Sequence, residues 1–339
     1  MGVGNSRFAK IDSFFREFSR PDAPGASVLI VQNGEILYEK GYGLADLNQK
    51  IPCTVDTNFR LASLTKQFTA MAILMLLERE KLSLDDSITK FFPEFPEYGK
   101  AITITHLLSH RSGLIDYEDI MPEGMSIPLS DRNVLYLLRK QDKTYFPPGS
   151  QFRYSNGGYA LLSLIVEAVS GNTFAEFLKR NIFIPLQMNG TLAYEAGISQ
   201  IRNRAYGYAK EGDHFIPSDQ SLTSSVLGDG GVYSSVRDLL KWDQALYTDK
   251  LVSRKLLQRA FSTVSQTSDM NGSGYGFGWY VAKHKTDDLI WHYGSTCGFS
   301  TRIERFPQHH FAVIILTNRR DADEEIAGIS RKITALYLQ

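Results

Sequence analysis

A serine and a lysine three positions apart, in Ser63-Leu64-Thr65-Lys66, are the side chains best suited to chemistry in this 339-residue sequence. On a helix, residues at this spacing lie on one face, so the Lys66 amine comes within reach of the Ser63 hydroxyl. Serine is a weak nucleophile until a base takes its proton. Burial lowers the pKa of a lysine from its ordinary value of about 10.4, and a buried Lys66 is therefore a candidate base.

The helix that carries this pair is predicted to be buried. Residues 63–80 are apolar almost all round, and a helix without a polar face belongs in a protein core. Its N-terminus also leaves backbone N–H groups free to stabilise an oxyanion at Ser63. A second match, Ser87-Ile88-Thr89-Lys90, follows Asp85-Asp86 in a polar loop, where Lys90 stays solvated and charged. We therefore expect Ser63, and not Ser87, to be the reactive serine.

A second short motif, Tyr154-Ser155-Asn156, follows the turn Pro147-Pro148-Gly149 and precedes a predicted helix. An ammonium close to a tyrosine favours the phenolate. Lys66 and Tyr154 are therefore expected to share one proton as a coupled base. The alternative, that Ser155 or Asn156 caps the helix, is compatible with this role.

A third motif, His292-Tyr293-Gly294-Ser295, lies at the end of a predicted strand. Gly294 permits a close backbone approach, and the N–H that follows it is a candidate second oxyanion donor. The alternative for His292, which follows a tryptophan, is a core residue with satisfied hydrogen bonds.

Two further histidines, His106 and His110, are four positions apart and could face one side of a helix as a zinc pair. No carboxylate accompanies them in the register of a zinc site. The interpretation we prefer is structural, with both histidines holding the loop at Ser112-Gly113. We expect no metal and no cofactor.

The predicted elements indicate an α+β fold, an α/β sandwich. A hairpin over 26–32 and 35–42 turns at Asn33-Gly34, the dipeptide such hairpins favour. Further strands are predicted late in the chain, at 275–282, 289–292, 299–306 and 311–317. Helices are predicted at 8–18, 63–80, 105–108, 134–139, 157–170 and 323–338. We therefore expect one antiparallel sheet that is formed from both chain ends and flanked by helices. A helical region is expected to be inserted between these two parts of the chain. We expect a single domain over 1–339, with a sheet part at about 1–62 and 232–339 and a helical part at about 63–231.

Composition excludes several classes of protein. Lys and Arg number 37 and Asp and Glu number 37, so the net charge is zero and nucleic-acid binding by counterion release is not expected. The longest strongly apolar run, 70–77, is far shorter than the roughly 20 residues of a membrane span. Cys53 and Cys297 are expected to be free thiols, with one long-range disulfide as the alternative. No secretory signal is visible, so we expect a cytoplasmic protein as the sequence stands, or a periplasmic or secreted one if a signal was removed.

Taken in this order, the three motifs resemble those of the serine β-lactamase and penicillin-binding superfamily, namely Ser-x-x-Lys, a polar triplet and Lys-Thr-Gly. The Tyr-x-Asn form of the triplet is similar to the class C β-lactamase branch, which includes esterases and D-amino-acid peptidases. The resemblance implies that Ser63 is the nucleophile and that Lys66 and Tyr154 act as the general base. It also implies substrate contacts from the four residues Asn156, His292, Gly294 and Ser295, and an oxyanion hole formed by the N–H groups of Ser63 and Ser295.

The third motif departs from the pattern because His292 stands where β-lactamases have the lysine that binds the drug's carboxylate. A histidine is only partly charged near pH 7, so carboxylate binding should be weaker. The resemblance therefore implies a serine hydrolase of the carboxylesterase or D-amino-acid peptidase type, acting through an acyl-enzyme on a small ester, amide or peptide, with weak β-lactamase activity. An acyltransferase on the same site and a catalytically idle penicillin-binding or sensor domain are the alternatives. The sequence sets neither the natural substrate nor the oligomeric state.

Overall fold

The largest element of the fold is an eight-stranded sheet in which every neighbouring pair of strands is antiparallel. The computed structural model describes residues 3–267 and 272–338. The strands are β1 Ala26–Gln32, β2 Glu35–Tyr42, β3 Leu44–Asp46, β4 Ile51–Pro52, β5 Phe59–Arg60, β6 Leu192–Ala193, β7 Tyr208–Glu211, β8 His214–Pro217, β9 Val232–Ser234, β10 Ser265–Gln266, β11 Gly274–Tyr275, β12 Tyr280–His284, β13 Asp287–Thr296, β14 Phe299–Phe306 and β15 Phe311–Thr317. The order in the large sheet is β10-β11-β12-β13-β14-β15-β1-β2, so both ends of the chain contribute, as predicted.

Helices fill the middle of the chain and also begin and end the described part. They are α1 Val3–Phe14, α2 Lys66–Glu78, α3 Ile104–Leu108, α4 Asp131–Arg139, α5 Asn156–Ser170, α6 Phe174–Leu178, α7 Leu227–Gly230, α8 Val236–Ala245, α9 Arg254–Ala260 and α10 Asp323–Tyr337. Every residue of α2 from Lys66 to Leu76 is buried, which confirms the expectation of a core helix. Gly171, with φ 71°, ends α5 in the left-handed conformation that favours glycine.

The hairpin of β1 and β2 is formed where the sequence predicts it. Asn33 and Gly34 both have positive φ, 52° and 80°, as a two-residue turn between twisted antiparallel strands requires. The predicted strand at 275–282 is instead divided into β11 and β12. Gly278 has φ 78°, and a Cβ there would lie 2.8 Å from the Lys66 carbonyl oxygen. The break between the two strands therefore lets the chain pack closely against the start of α2.

Two hydrophobic clusters cover the two faces of the sheet. On one face Leu29 of β1 packs with residues of α2 and α5 such as Phe68 and Leu161. On the other face Ile30 packs with α1 and α10, for example with Ile326. The alternation of Leu29 and Ile30 follows from the two-residue period of a strand. The sheet is thus a layer between helices, which is the α/β sandwich expected.

Two remaining observations complete the fold. Cys53 and Cys297 are both free thiols. Among the described residues no single helix has the length and apolar character of a membrane span. Two consecutive helical segments, Asn156–Ser170 and Phe174–Phe183, reach that length and apolar character only when they are taken together. The chain bends by 76° between them.

Candidate active site

Ser63 lies in a tight turn that immediately precedes α2. The sequence predicts one helix from 63 onward, but residues Ala62–Thr65 form a 3-10 turn and the α-helix begins at Lys66. Ala62 has φ 50°, a left-handed conformation that is uncommon for a residue with a Cβ. Ser63 is partly exposed, whereas Ala62 and Leu64 on either side of it are buried. The turn therefore presents the Ser63 side chain at the surface of an otherwise buried segment.

Lys66 is completely buried, and its three ammonium hydrogens have three acceptors. Nζ lies 3.1 Å from Ser63 Oγ, 2.9 Å from Asn156 Oδ1 and 2.9 Å from the Asp229 carbonyl oxygen. Burial lowers the pKa of Lys66 to about 8, although the negative charges of Asp229 and Glu118 oppose this shift. Part of the Lys66 population is therefore neutral near pH 7. A neutral amine at 3.1 Å can accept the Ser63 hydroxyl proton.

The Tyr154 side chain lies beside Lys66 but does not form a phenolate. Burial raises the pKa of Tyr154 well above its usual range, Tyr280 adds to this shift, and the Ser63 hydroxyl partly opposes it. The Lys66 ammonium faces the Tyr154 ring, 4.8 Å from its centroid. The pKa of Tyr154 therefore moves in the direction opposite to the one expected from Lys66, because burial disfavours the phenolate. Tyr154 keeps its proton at neutral pH, and the Ser63 hydroxyl is a neighbour of its buried hydroxyl.

His110 fixes the position of Tyr154 from both sides. The Arg153 N–H donates to the His110 carbonyl oxygen at 2.9 Å, and the Ser155 N–H donates to His110 Nδ1 at 3.0 Å. The His110 and Tyr154 rings are 4.2 Å apart. Burial lowers the pKa of His110 well below its usual range, so the ring is neutral and can accept at Nδ1. His110 has a structural role, as expected, and the segment that its hydrogen bonds hold is 153–155. Its hold on the loop at Ser112-Gly113 stays a prediction.

The other histidine of the considered zinc pair has a different structural role. His106 Nδ1 accepts from the Thr103 N–H in a capping box at the start of α3. In the described part of the chain, no group of three metal-ligating side chains comes together.

Asn156 links the catalytic pair to an acidic residue. Its Oδ1 accepts from Lys66 Nζ, and its Nδ2 donates to Glu118 Oε1 at 3.2 Å. Ser155 caps α5 by accepting from the Gly158 N–H at 3.1 Å, so the capping role considered for this motif is present. One hydrogen of the Asn156 amide is still available to a substrate carbonyl.

His292 occupies the core and does not contact the cleft. Its side chain is 0% exposed, Nδ1 donates to the Tyr293 carbonyl oxygen at 2.6 Å, and Nε2 accepts from Tyr275 Oη at 3.0 Å. Burial lowers the pKa of His292 to about 3, and the charge of Lys66 contributes. The expectation of a partly charged, substrate-binding His292 is therefore corrected to the alternative of a satisfied core residue. Its neutral ring leaves the third motif without a cation.

Gly294 brings β13 against the Ser63 turn. A Cβ at this position would lie 2.1 Å from the Leu61 carbonyl oxygen and 3.0 Å from the Ser63 nitrogen. Ser295, the next residue, is exposed, and its Oγ donates to Asp323 Oδ2 at 2.8 Å. Ser63 and Ser295 line one small cleft of about 70 Å³. The use of their N–H groups as oxyanion donors stays a prediction, and this close approach supports it.

Sequence reasoning missed several residues of this cleft, among them Tyr117, Glu118 and Asp229. Tyr117 Oη donates to Asp229 Oδ2 at 3.0 Å. Burial raises the pKa of Asp229, whereas Lys66 lowers it. The sequence signal for Asp229 was its position among glycines, in Gly228-Asp229-Gly230-Gly231. In the structure a Cβ at Gly228 would lie 2.3 Å from the Tyr159 carbonyl oxygen. Such glycines indicate a segment packed tightly against its neighbours.

The second Ser-x-x-Lys match has no catalytic surroundings. Ser87 Oγ accepts from the Thr89 N–H at 3.3 Å and caps a 3-10 turn. The Lys90 side chain is 55% exposed and pairs with Asp86 at 2.7 Å. The prediction that Lys90 stays solvated is confirmed.

The structure combines a sandwich fold with a serine that is hydrogen-bonded to a buried lysine. This is the arrangement of the serine β-lactamase and penicillin-binding superfamily, which the three motifs resemble. The Beta-lactamase family model matches residues 11–336, and the chain belongs to this family. It is 33% identical over 329 residues to penicillin-binding protein 4* of Bacillus subtilis strain 168, covering 93% of this chain and 72% of that protein.

Two further comparisons agree with this assignment. Protein flp of Staphylococcus aureus strain MRSA252 is 28% identical over 93% of this chain, which spans 63% of the length of that relative. The structure of the octameric penicillin-binding protein homologue from Pyrococcus abyssi superposes with a TM-score of 0.86 and 28% identity, covering 100% of this chain and 77% of that one.

Proposed function

We propose that this protein is a serine hydrolase that forms an acyl-enzyme at Ser63 with esters or amides. The observation that carries the proposal is the buried Lys66 amine, 3.1 Å from Ser63 Oγ and with a lowered pKa. Membership of the Beta-lactamase family supports acyl-enzyme chemistry. We also propose that residues 1–339 form one catalytic domain, which the hydrophobic core shared by the sheet and the helical region supports.

Acylation begins when the neutral form of Lys66 takes the hydroxyl proton of Ser63. The serine oxygen then forms a bond to the carbonyl carbon of the substrate, and the π electron pair moves to the carbonyl oxygen. The N–H groups of Ser63 and Ser295 stabilise this oxyanion, which is the largest single contribution in many acyl-transfer enzymes.

The tetrahedral intermediate collapses when the leaving group receives a proton. Tyr154 is suited to donate it, because burial keeps its hydroxyl protonated and the Ser63 hydroxyl lies beside it. The proton that Lys66 took from Ser63 then replaces the one that Tyr154 gave. In deacylation a water molecule attacks the ester carbonyl, loses a proton to the same pair of residues, and Ser63 leaves as the hydroxyl.

The substrates that fit this site best lack a carboxylate next to the reacting bond. His292 is buried and neutral, so the strand that binds the carboxylate of penicillins in β-lactamases carries no cation here. We therefore propose a carboxylesterase or D-amino-acid peptidase type of activity, with weak turnover of β-lactams.

Steady-state kinetics with p-nitrophenyl butyrate and a chromogenic cephalosporin test this proposal. We expect kcat/KM for the ester to exceed that for the cephalosporin by at least about tenfold, since the missing ion pair is worth about 1.5–3 kcal/mol. Ser63→Ala should abolish both activities, and Ser87→Ala is the matched control that should retain them. Faster cephalosporin turnover would contradict the proposed substrate class. Full activity of Ser63→Ala, or an acyl adduct that never turns over, would contradict the proposed hydrolase.

A further inference from the structure

We propose that Tyr159 is a positioning residue for Lys66, because its ring stabilises the lysine ammonium through a cation–π contact. The Lys66 Nζ lies over the Tyr159 ring, 5.5 Å from its centroid, which is within the range of such contacts. The inference rests on the proposed function, because it concerns the residue that takes the proton of Ser63. Tyr159 lies outside the three sequence motifs.

Tyr159 faces Lys66 because of its spacing on α5. Asn156 is the first residue of this helix and Tyr159 follows three positions later, so their side chains lie on the same face. Asn156 Oδ1 accepts from Lys66 Nζ at 2.9 Å. One face of α5 therefore supplies both a hydrogen-bond acceptor and an aromatic ring to the same ammonium.

The Tyr159 side chain is fixed by contacts of its own. It is completely buried, and Oη donates to the Leu108 carbonyl oxygen at 2.8 Å. The His110 ring packs against it, with the two ring centroids 5.1 Å apart. Burial raises the pKa of Tyr159, so the ring stays uncharged. The hydroxyl thus holds the side chain in the fold, whereas the ring is the part that meets the ammonium.

The burial of Lys66 gives this contact its effect. A buried ammonium has lost its hydration, and the negative face of an aromatic ring replaces part of that stabilisation. The ring attracts the ammonium but not the neutral amine, so it opposes the lowering of the Lys66 pKa by burial. Without the ring, Lys66 should lose its proton about one pH unit lower, as the strength of a desolvated cation–π contact implies.

Other titratable groups face Lys66 from several elements that pack against it. They are Asp229 of α7, Asp116 and Glu118 at the 3-10 turn Tyr117–Ile120, His110 after α3, and His292 of β13. The three carboxyl groups also oppose the effect of burial on the Lys66 pKa. Burial lowers the pKa of both histidines, so both rings are neutral. These groups stay the same in variants of position 159, so a difference between such variants reports the ring.

The rate at which a fluorophosphonate labels Ser63, measured as a function of pH, tests the inference. In the wild type this rate should rise with a midpoint at about 8, where Lys66 loses its proton. Tyr159→Leu removes the ring, and its midpoint should lie about one pH unit lower. Tyr159→Phe keeps the ring and loses the hydrogen bond to Leu108. It should unfold at a lower temperature, whereas its midpoint should stay within about 0.3 pH units of the wild type.

Two further variants separate the ring from its packing. Phe174→Leu is the matched control, because it removes a buried aromatic ring from α6 in the same hydrophobic core. Its midpoint should equal that of the wild type. Trifluorophenylalanine at position 159 keeps a ring of similar size but withdraws the negative charge from its face. Its midpoint should lie below that of Tyr159→Phe, and this comparison serves even where Tyr159→Leu does not fold.

A midpoint that is not lowered in Tyr159→Leu, or in the trifluorophenylalanine variant relative to Tyr159→Phe, would overturn the inference while the proposed hydrolase stands. An equal shift in Phe174→Leu would also overturn it, because lost packing would then be the cause. Failure of the wild type to be labelled at Ser63, or a labelling rate independent of pH, would instead contradict the proposed function.

Discussion

Replacement of Gly294 by alanine tests whether the close packing of β13 against the Ser63 turn is required for catalysis. The new Cβ would lie 2.1 Å from the Leu61 carbonyl oxygen, where ordinary contact begins at 3.4 Å. Strand and turn must therefore separate by about 1.3 Å, and a misplacement of about 1 Å costs about 10²-fold in rate. Overpacking of this kind also destabilises a protein by about 1–3 kcal/mol.

The assay is kcat/KM for p-nitrophenyl butyrate together with the thermal midpoint of unfolding. We expect Gly294→Ala to lose about 10²-fold in kcat/KM at a temperature where it is still folded. Gly158→Ala is the matched control, because Gly158 lies two residues after Asn156 and a Cβ there has its nearest neighbours at 3.6 Å. It should keep its activity within about threefold and gain helix propensity. A folded Gly294→Ala variant with nearly wild-type kcat/KM would refute the argument from backbone approach.

Three other outcomes follow from the same structure. The acylation rate should rise with pH through about 8 as Lys66 loses its proton, and Asp229→Asn should move this rise to lower pH, because loss of a negative charge lowers the pKa of the lysine further. A stopped-flow pH profile that does not move would contradict this. Tyr154→Phe should slow acylation by about 10²–10⁴. In a double-mutant cycle with Lys66→Ala, the two losses should be less than additive in free energy, and full additivity would show that the residues act independently. Arg305→Leu should lower the free energy of unfolding by about 3–5 kcal/mol, since it leaves Asp243 buried without its partner. Denaturant titration measures it, and a loss under about 1 kcal/mol would be inconsistent with the buried pair.

Local patterns predicted the elements that hold the site. The Asn33-Gly34 turn, the capped helix α5 and the burial of α2 each depend on residues close together in sequence, and each is found as expected. The choice of Ser63 over Ser87 also follows from local context, because Lys66 is buried and Lys90 is exposed. Propensity, capping and hydrophobic periodicity are sufficient for such features.

The electrostatics of the site depend on contacts that sequence spacing does not contain. Asp229 meets Lys66 across 163 positions, and Asn156 meets Glu118 across 38. The pKa of Tyr154 is raised by burial, which only the folded arrangement sets. His292 is buried because strand β13 places it against Tyr275. Its neighbours in sequence left two alternatives open, a substrate contact or a core residue. The residues of the motifs were therefore predictable, but the protonation states of Tyr154 and His292 were not.

The central claim is that Ser63 is the residue acylated with the help of Lys66. Labelling with a fluorophosphonate, followed by intact mass and peptide mapping, tests it most directly. The account predicts one adduct per chain, located on Ser63, retained in Ser87→Ala and absent in Ser63→Ala. An adduct on another residue, or undiminished labelling of Ser63→Ala, would contradict it.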